Sequence, residues 1–181
     1  MLGADEPAPA KFHGTDVTGY QLDYGFALKD TAGRELKIAD FKGKVVYFFF
    51  GFTQCPVICP TALTRAAEIK RLLGADGEKL QVVFVTIDPE RDTPEVLRSY
   101  AAAFDPSFLG LSTDPEKLKA LSRSFKFTYS KVQTGSSYTM DHSTASYVFD
   151  PSGKIRLILR HEAPAADCAD DIRKLLQEKT N

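Results

Sequence analysis

Residues 44–50, Lys-Val-Val-Tyr-Phe-Phe-Phe, show no polar alternation, and residues 80–87, Leu-Gln-Val-Val-Phe-Val-Thr-Ile, show almost none. Short runs of aromatic and β-branched residues like these are strands covered on both faces, which points to a parallel or mixed sheet flanked by helices. Between the runs the spacing changes. Ala62, Leu63, Ala66, Ile69, Leu72 and Leu73 lie on one helical stripe that closes at Gly74. Pro60 suits the first helical position, where its missing N–H costs nothing. Strand, helix and strand form a βαβ unit, whose crossover is right-handed.

Around this unit the pattern predicts a β-hairpin over residues 24–29 and 34–38, with Asp30 to Gly33 supplying the turn. Helices are expected over residues 93–104, 114–125 and 165–178, and a short strand at 109–111. Further strands are expected over 127–132, 143–149 and 154–159, the last two joined by the turn Asp150-Pro151-Ser152-Gly153. Residues 1–20 lack sustained periodicity and read as a flexible linker, with residues 21–181 as one domain. The order is that of a thioredoxin-like α/β fold, with an N-terminal β-hairpin and an insertion before the last β-hairpin.

The chain has 181 residues, 43% hydrophobic and 26% charged, enough for one domain with a sizeable core. A formal net charge of −1 without a Lys/Arg block argues against a nucleic-acid footprint or a polybasic membrane patch. The opening Met-Leu-Gly-Ala-Asp-Glu-Pro-Ala-Pro-Ala has neither a basic segment nor an apolar stretch long enough for a signal or span. As written the chain is soluble, and this segment also reads as the linker behind a membrane anchor.

Three cysteines are too few for a disulfide scaffold. Cys55 and Cys59 leave the first core strand and open the helix, where a thioredoxin-like fold carries its reactive sulfurs. A C-x-x-C pair would suggest disulfide exchange; the extra residue relaxes the loop enough for two thiolates to grip one soft metal ion. His142, ahead of the last strand pair, is the candidate third ligand. It stands where related oxidoreductases place a cis-proline. Two thiolates and one imidazole suit copper as both Cu(I) and Cu(II). Zinc accepts the same donors, but structural zinc takes four and no second half-site is present. The helix N-terminus is expected to lower both thiol pKa values below the usual value of about 8.5.

Asp141 either orients the imidazole or caps a turn. Asp88, Arg91 and Asp92, at the C-terminal end of a core strand, form either a docking rim or a turn-stabilising ion-pair cluster. His13 and His161 read as surface residues, and Cys168 continues the apolar face of the last helix.

Three segments in order, Phe-Phe-Gly-Phe-Thr-Gln-Cys-x-x-x-Cys-Pro (49–60), Val-Thr-Ile-Asp-Pro-Glu-Arg-Asp-Thr-Pro (85–94) and Asp-His-Ser (141–143), resemble the Sco/SenC copper chaperones. The resemblance runs over about residues 20–178. It implies a copper site of Cys55, Cys59 and His142, assembly of the binuclear copper site of cytochrome c oxidase subunit II as the task, and an upstream copper donor protein. It also implies a membrane-tethered domain in the periplasm or on the outer face of the cytoplasmic membrane, or in the mitochondrial intermembrane space. Val57 departs from the pattern, which commonly has Asp between the cysteines.

The rival reading is a thiol-disulfide reductase acting on the cysteines of that subunit; the two roles can coexist on one cysteine pair. A peroxiredoxin-like peroxidase is disfavoured, because residues 48–55 lack the Pro-x-x-x-Thr-x-x-Cys pattern.

Overall fold

The computed structural model describes residues 11–55, 58–135, 137–142 and 144–178, without the side chains of residues 58 and 139–142. Its strands are β1 (Thr15–Asp16), β2 (Leu28–Lys29), β3 (Glu35–Leu36), β4 (Val45–Gly51), β5 (Leu80–Thr86), β6 (Leu109–Leu111), β7 (Tyr129–Thr134), β8 (Ser137–His142), β9 (Ser146–Phe149) and β10 (Ile155–Leu159). The helices are α1 (Ile58–Leu73), α2 (Pro94–Phe104), α3 (Pro115–Phe125) and α4 (Ala165–Gln177). The main sheet has the order β1-β10-β9-β4-β5-β6, with β4, β5 and β6 parallel and β9 and β10 antiparallel. This is the thioredoxin-like arrangement, preceded by the expected hairpin β2–β3, which forms its own two-stranded sheet.

Every residue of β4 is buried, because β4 lies between β5 and β9 and is covered on both faces. Strand period then sorts its side chains. Phe48 and Phe50 turn to one face, where Phe125 of α3 stacks on Phe48 at 5.3 Å and meets Phe50 edge-on at 5.2 Å. Tyr47, Phe49 and Gly51 turn to the other. There the Tyr47 hydroxyl reaches the Ala62 carbonyl of α1, and Phe49 stacks on Phe84 of β5, which in turn meets Tyr100 of α2. Gly51 follows from this crowding: a Cβ there would lie 2.7 Å from the Cys59 sulfur and 2.8 Å from the Phe84 ring.

Helix boundaries follow local chemistry. Thr93 caps α2 by accepting from the Val96 N–H, and Asp114 caps α3 by accepting from the Lys117 N–H, each followed by proline at the first helical position. The start of α1 differs from expectation. It begins at Ile58, so Pro60 occupies its third position, still inside the first turn where backbone N–H groups have no intrahelical partner.

Two further differences come from pairing. Thr15–Asp16 adds an edge strand against β10 in a segment with no periodicity. The strand expected over 127–132 runs from 129 to 134 and pairs with 137–142 as a separate two-stranded ribbon, and the last sheet hairpin, expected from 143, starts only at Ser146. The ribbon is the insertion. Its first strand is almost wholly exposed, so no apolar alternation announces it.

Candidate metal centre

β4 ends at Gly51, and the chain turns through Phe52 to Cys55, where the Cys55 N–H donates to the Phe52 carbonyl at 3.3 Å. Cys55 is 9% exposed and Cys59 is fully buried in the first turn of α1. The Cys59 N–H points at the Cys55 sulfur at 3.4 Å, so the helix N-terminus aims a backbone donor at one sulfur. Pro56 and Val57, between the cysteines, lie outside the described residues.

The electrostatics correct the expectation of two lowered thiols. The Cys55 side chain, hydrogen-bonded to that of Cys59, and next the burial of Cys59 push the Cys59 thiol far above its ordinary value. The two sulfurs share one low-dielectric site, and a second negative charge is opposed by the first. A cation bridging both sulfurs would remove that opposition by displacing the Cys59 proton. Half-buried Tyr100 lies close enough that burial first, then Cys59 and Cys55, raise its pKa. Its hydroxyl is buried with no partner among the described residues.

The loop before Cys55 is held from a distance. Asp92, 2% exposed, accepts from the Thr53 N–H at 3.1 Å, the Thr53 hydroxyl at 2.5 Å and the Thr86 hydroxyl at 2.6 Å. Thr86 in turn accepts from the Asp88 N–H at 2.9 Å. Asp88 is also 2% exposed and bonds Arg91 Nε at 2.5 Å and the Tyr138 hydroxyl at 2.8 Å. Of the two readings of Asp88, Arg91 and Asp92, both carboxylates form the buried cluster, which also draws in Thr53, Thr86 and Tyr138.

His142 closes β8, where it pairs with Tyr129, and three residues separate it from the start of β9. The side chains of Asp141 and His142, and all of Ser143, lie outside the description. No cis peptide occurs among the described residues. Thr53 and Thr86 lie within the segments 49–60 and 85–94, but neither segment names their partner in the network, and Tyr138 carries no motif.

The other candidates lie elsewhere. Cys168 is 1% exposed on the inner face of α4, as expected. His161 is partly buried, while the His13 side chain is 46% exposed. His13 also gathers Asp170 and Asp171, a group that sequence reading passed over. The Asp171 oxygens already accept from the His13 and Gly14 N–H groups at 2.8 Å each, and Lys174 neutralises Asp170 at 3.1 Å, so this group clamps β1 to α4.

Residues 15–177 match the SCO1/SenC family. The chain belongs to that family. A SCO2-like protein of Rickettsia felis is 39% identical over 132 residues, covering 71% of this chain and 64% of that protein, so the chain spans less than two thirds of that relative's length. Among solved SCO1/SenC structures, the apo Sco1 protein of Thermus thermophilus superimposes with a TM-score of 0.77 at 36% identity, covering 94% of this chain and 98% of that one. ScoI of Bradyrhizobium japonicum, solved with copper bound, gives a TM-score of 0.75 at 33% identity, with 90% and 98% covered. In this SCO1/SenC chain the matched span takes in both cysteines, the Asp88–Arg91 turn and the ribbon ending at His142.

Proposed function

We propose that this chain is a copper metallochaperone that holds one copper ion between the Cys55 and Cys59 sulfurs and His142. In this reading it passes the ion by ligand exchange to the binuclear copper site of cytochrome c oxidase subunit II. The observation that carries the reading is the buried sulfur pair flanking the start of α1, Cys55 just before it and Cys59 in its first turn, with the Cys59 amide 3.4 Å from the Cys55 sulfur. Family membership and the copper-bound ScoI relative support it. Soft sulfur favours Cu(I), and an added imidazole lets the same site keep Cu(II). An upstream donor protein loads the site. The domain works outside the cytoplasm on a membrane tether; among the described residues no helix is long and apolar enough to cross a membrane.

Titration of the reduced protein tests this. One copper per chain is expected, with an intense visible sulfur-to-metal band for Cu(II), because thiolates ligate it directly. Colourless Cu(II) protein with both cysteines reduced would refute the assignment. His142→Ala should weaken Cu(II) far more than Cu(I), which two thiolates hold linearly; equal losses would remove His142 from the ligand set.

The second reading, a thiol-disulfide reductase acting on the recipient's cysteines, draws on the same sulfur proximity. It predicts that the reduced chain reduces a disulfide in subunit II, its own Cys55 and Cys59 closing into a disulfide, at a rate insensitive to His142→Ala.

A further inference from the structure

The β7–β8 ribbon stands outside the main sheet, and a lone two-stranded hairpin is marginally stable in water. Among the described residues, Tyr129 packs against the core beside Phe127 at 5.7 Å, and the polar contacts that fasten the ribbon converge on Arg91. Arg91 Nη1 donates to the Tyr138 carbonyl of β8 at 2.7 Å, and its guanidinium lies over the Tyr138 ring at 3.8 Å. The Tyr138 hydroxyl donates to Asp88 at 2.8 Å, and Arg91 Nε bonds the other Asp88 oxygen. Lys131 of β7 adds a contact over the same ring at 4.7 Å and an ion pair with Glu90 at 3.2 Å. The same Nη1 of Arg91 also donates to the Gln54 side-chain oxygen at 3.1 Å. One guanidinium therefore bridges the residue before Cys55 and a residue four positions before His142 on β8, about 13 Å along a strand.

We propose that Arg91 is a positioning residue that docks the histidine-bearing ribbon against the cysteine loop, and so governs closure of the nitrogen arm on Cu(II) while leaving the thiolate pair intact. This rests on the copper reading above. Arginine suits the task because its planar fork can donate in several directions and stack on an aromatic face at once; lysine cannot replace it there. The Arg91 side chain is only 17% exposed, and Asp88 is 2% exposed, so the bridge is shielded from solvent and little screened by salt.

The test uses the full chain with Arg91→Met and Arg91→Lys, and with Tyr138→Phe as a milder variant that keeps the ring and loses only the hydroxyl bond to Asp88. Cu(II) affinity should fall about tenfold in Arg91→Met, the low end of the loss for a partner that touches a ligand directly, because Arg91 acts on His142 only through the ribbon. Cu(I) affinity should change by less than about twofold, and the Cu(II) charge-transfer band should shift. Backbone amides of residues 129–142 should exchange faster while those of β4 and β5 do not. Combined with His142→Ala, Arg91→Met should add no further Cu(II) loss, because the arm it positions has been removed. Equal loss for both oxidation states, or additive losses with His142→Ala, would overturn the proposal. If wild-type protein binds no copper, the copper reading itself fails. Amide exchange then still decides the docking role: unchanged ribbon exchange in both Arg91→Met and Tyr138→Phe refutes it.

Discussion

Asp92 accepts both the backbone N–H and the hydroxyl of Thr53, so the turn that presents Cys55 hangs on a carboxylate 39 residues away in sequence. The carboxylate is 2% exposed and receives a third bond from Thr86, which makes it a fully engaged acceptor in the protein interior. Nothing about Thr53 itself would stiffen the cysteine loop without it.

Asp92→Asn should therefore lower stability by about 1–3 kcal/mol, because the amide turns a donor toward groups that are themselves donors. Asp92→Ala should cost at least as much. The denaturant midpoint measures this, with an unchanged slope marking a loss of stability alone. A midpoint equal to wild type would mean that the loop is held by other contacts.

Gly51→Ala should couple packing to the metal site. The added methyl would meet the Cys59 sulfur at 2.7 Å and the Phe49 and Phe84 rings at 2.9 and 2.8 Å, with no flexible chain end to yield. A loss of about 1–3 kcal/mol is expected from overpacking, together with a shifted Cu(II) absorption band as the sulfur moves. An unchanged band with normal stability would show that the sulfur is not confined there.

The raised Cys59 thiol sets a pH dependence. In the apo fold Cys59 keeps its proton through neutral pH, so metal capture expels it and apparent affinity should rise about tenfold per pH unit for each proton released. The sign for apo stability is opposite. A thiol whose pKa is raised on folding favours the fold below the unfolded value of about 8.5, and that contribution fades as pH climbs toward the folded value. Competition titrations between about pH 6 and 8, and urea midpoints carried above about pH 9, check both directions. Flat metal affinity across that range would contradict a protonated Cys59.

Under mild oxidant the apo protein should close a Cys55–Cys59 disulfide, since the Cys59 amide already lies 3.4 Å from the Cys55 sulfur. Thiol counting should leave one, Cys168, which is buried on the inner face of α4 with its sulfur 4.0 Å from the Ala163 carbonyl. Cys168→Ser should reduce that count to none and leave copper binding unchanged. Three thiols surviving oxidant, or copper bound by fully oxidised protein, would move the site elsewhere.

Local chemistry was enough for the parts of this protein that depend on neighbours in sequence. The unbroken apolar run of β4 announces a strand buried on both faces, and it is buried at every position. Asp150 accepts from the Ser152 and Lys154 N–H groups, so the last sheet hairpin follows from the turn residues themselves. Cys55 and Cys59 were legible as a pair because one strand end and one helix start bring them together, without help from the rest of the chain. The ribbon was not, because its first strand is exposed and carries no period that a buried face would impose. The direction of the Cys59 shift was not legible either, since it depends on burial and on a second sulfur nearby, not on the helix terminus alone. The network from Asp92 and Asp88 through Arg91 to Tyr138 exists only after β4, β5 and the ribbon have been assembled. Charged and hydroxyl side chains have no periodicity that names their partners, and here only burial in the folded chain decided which acceptor each donor meets.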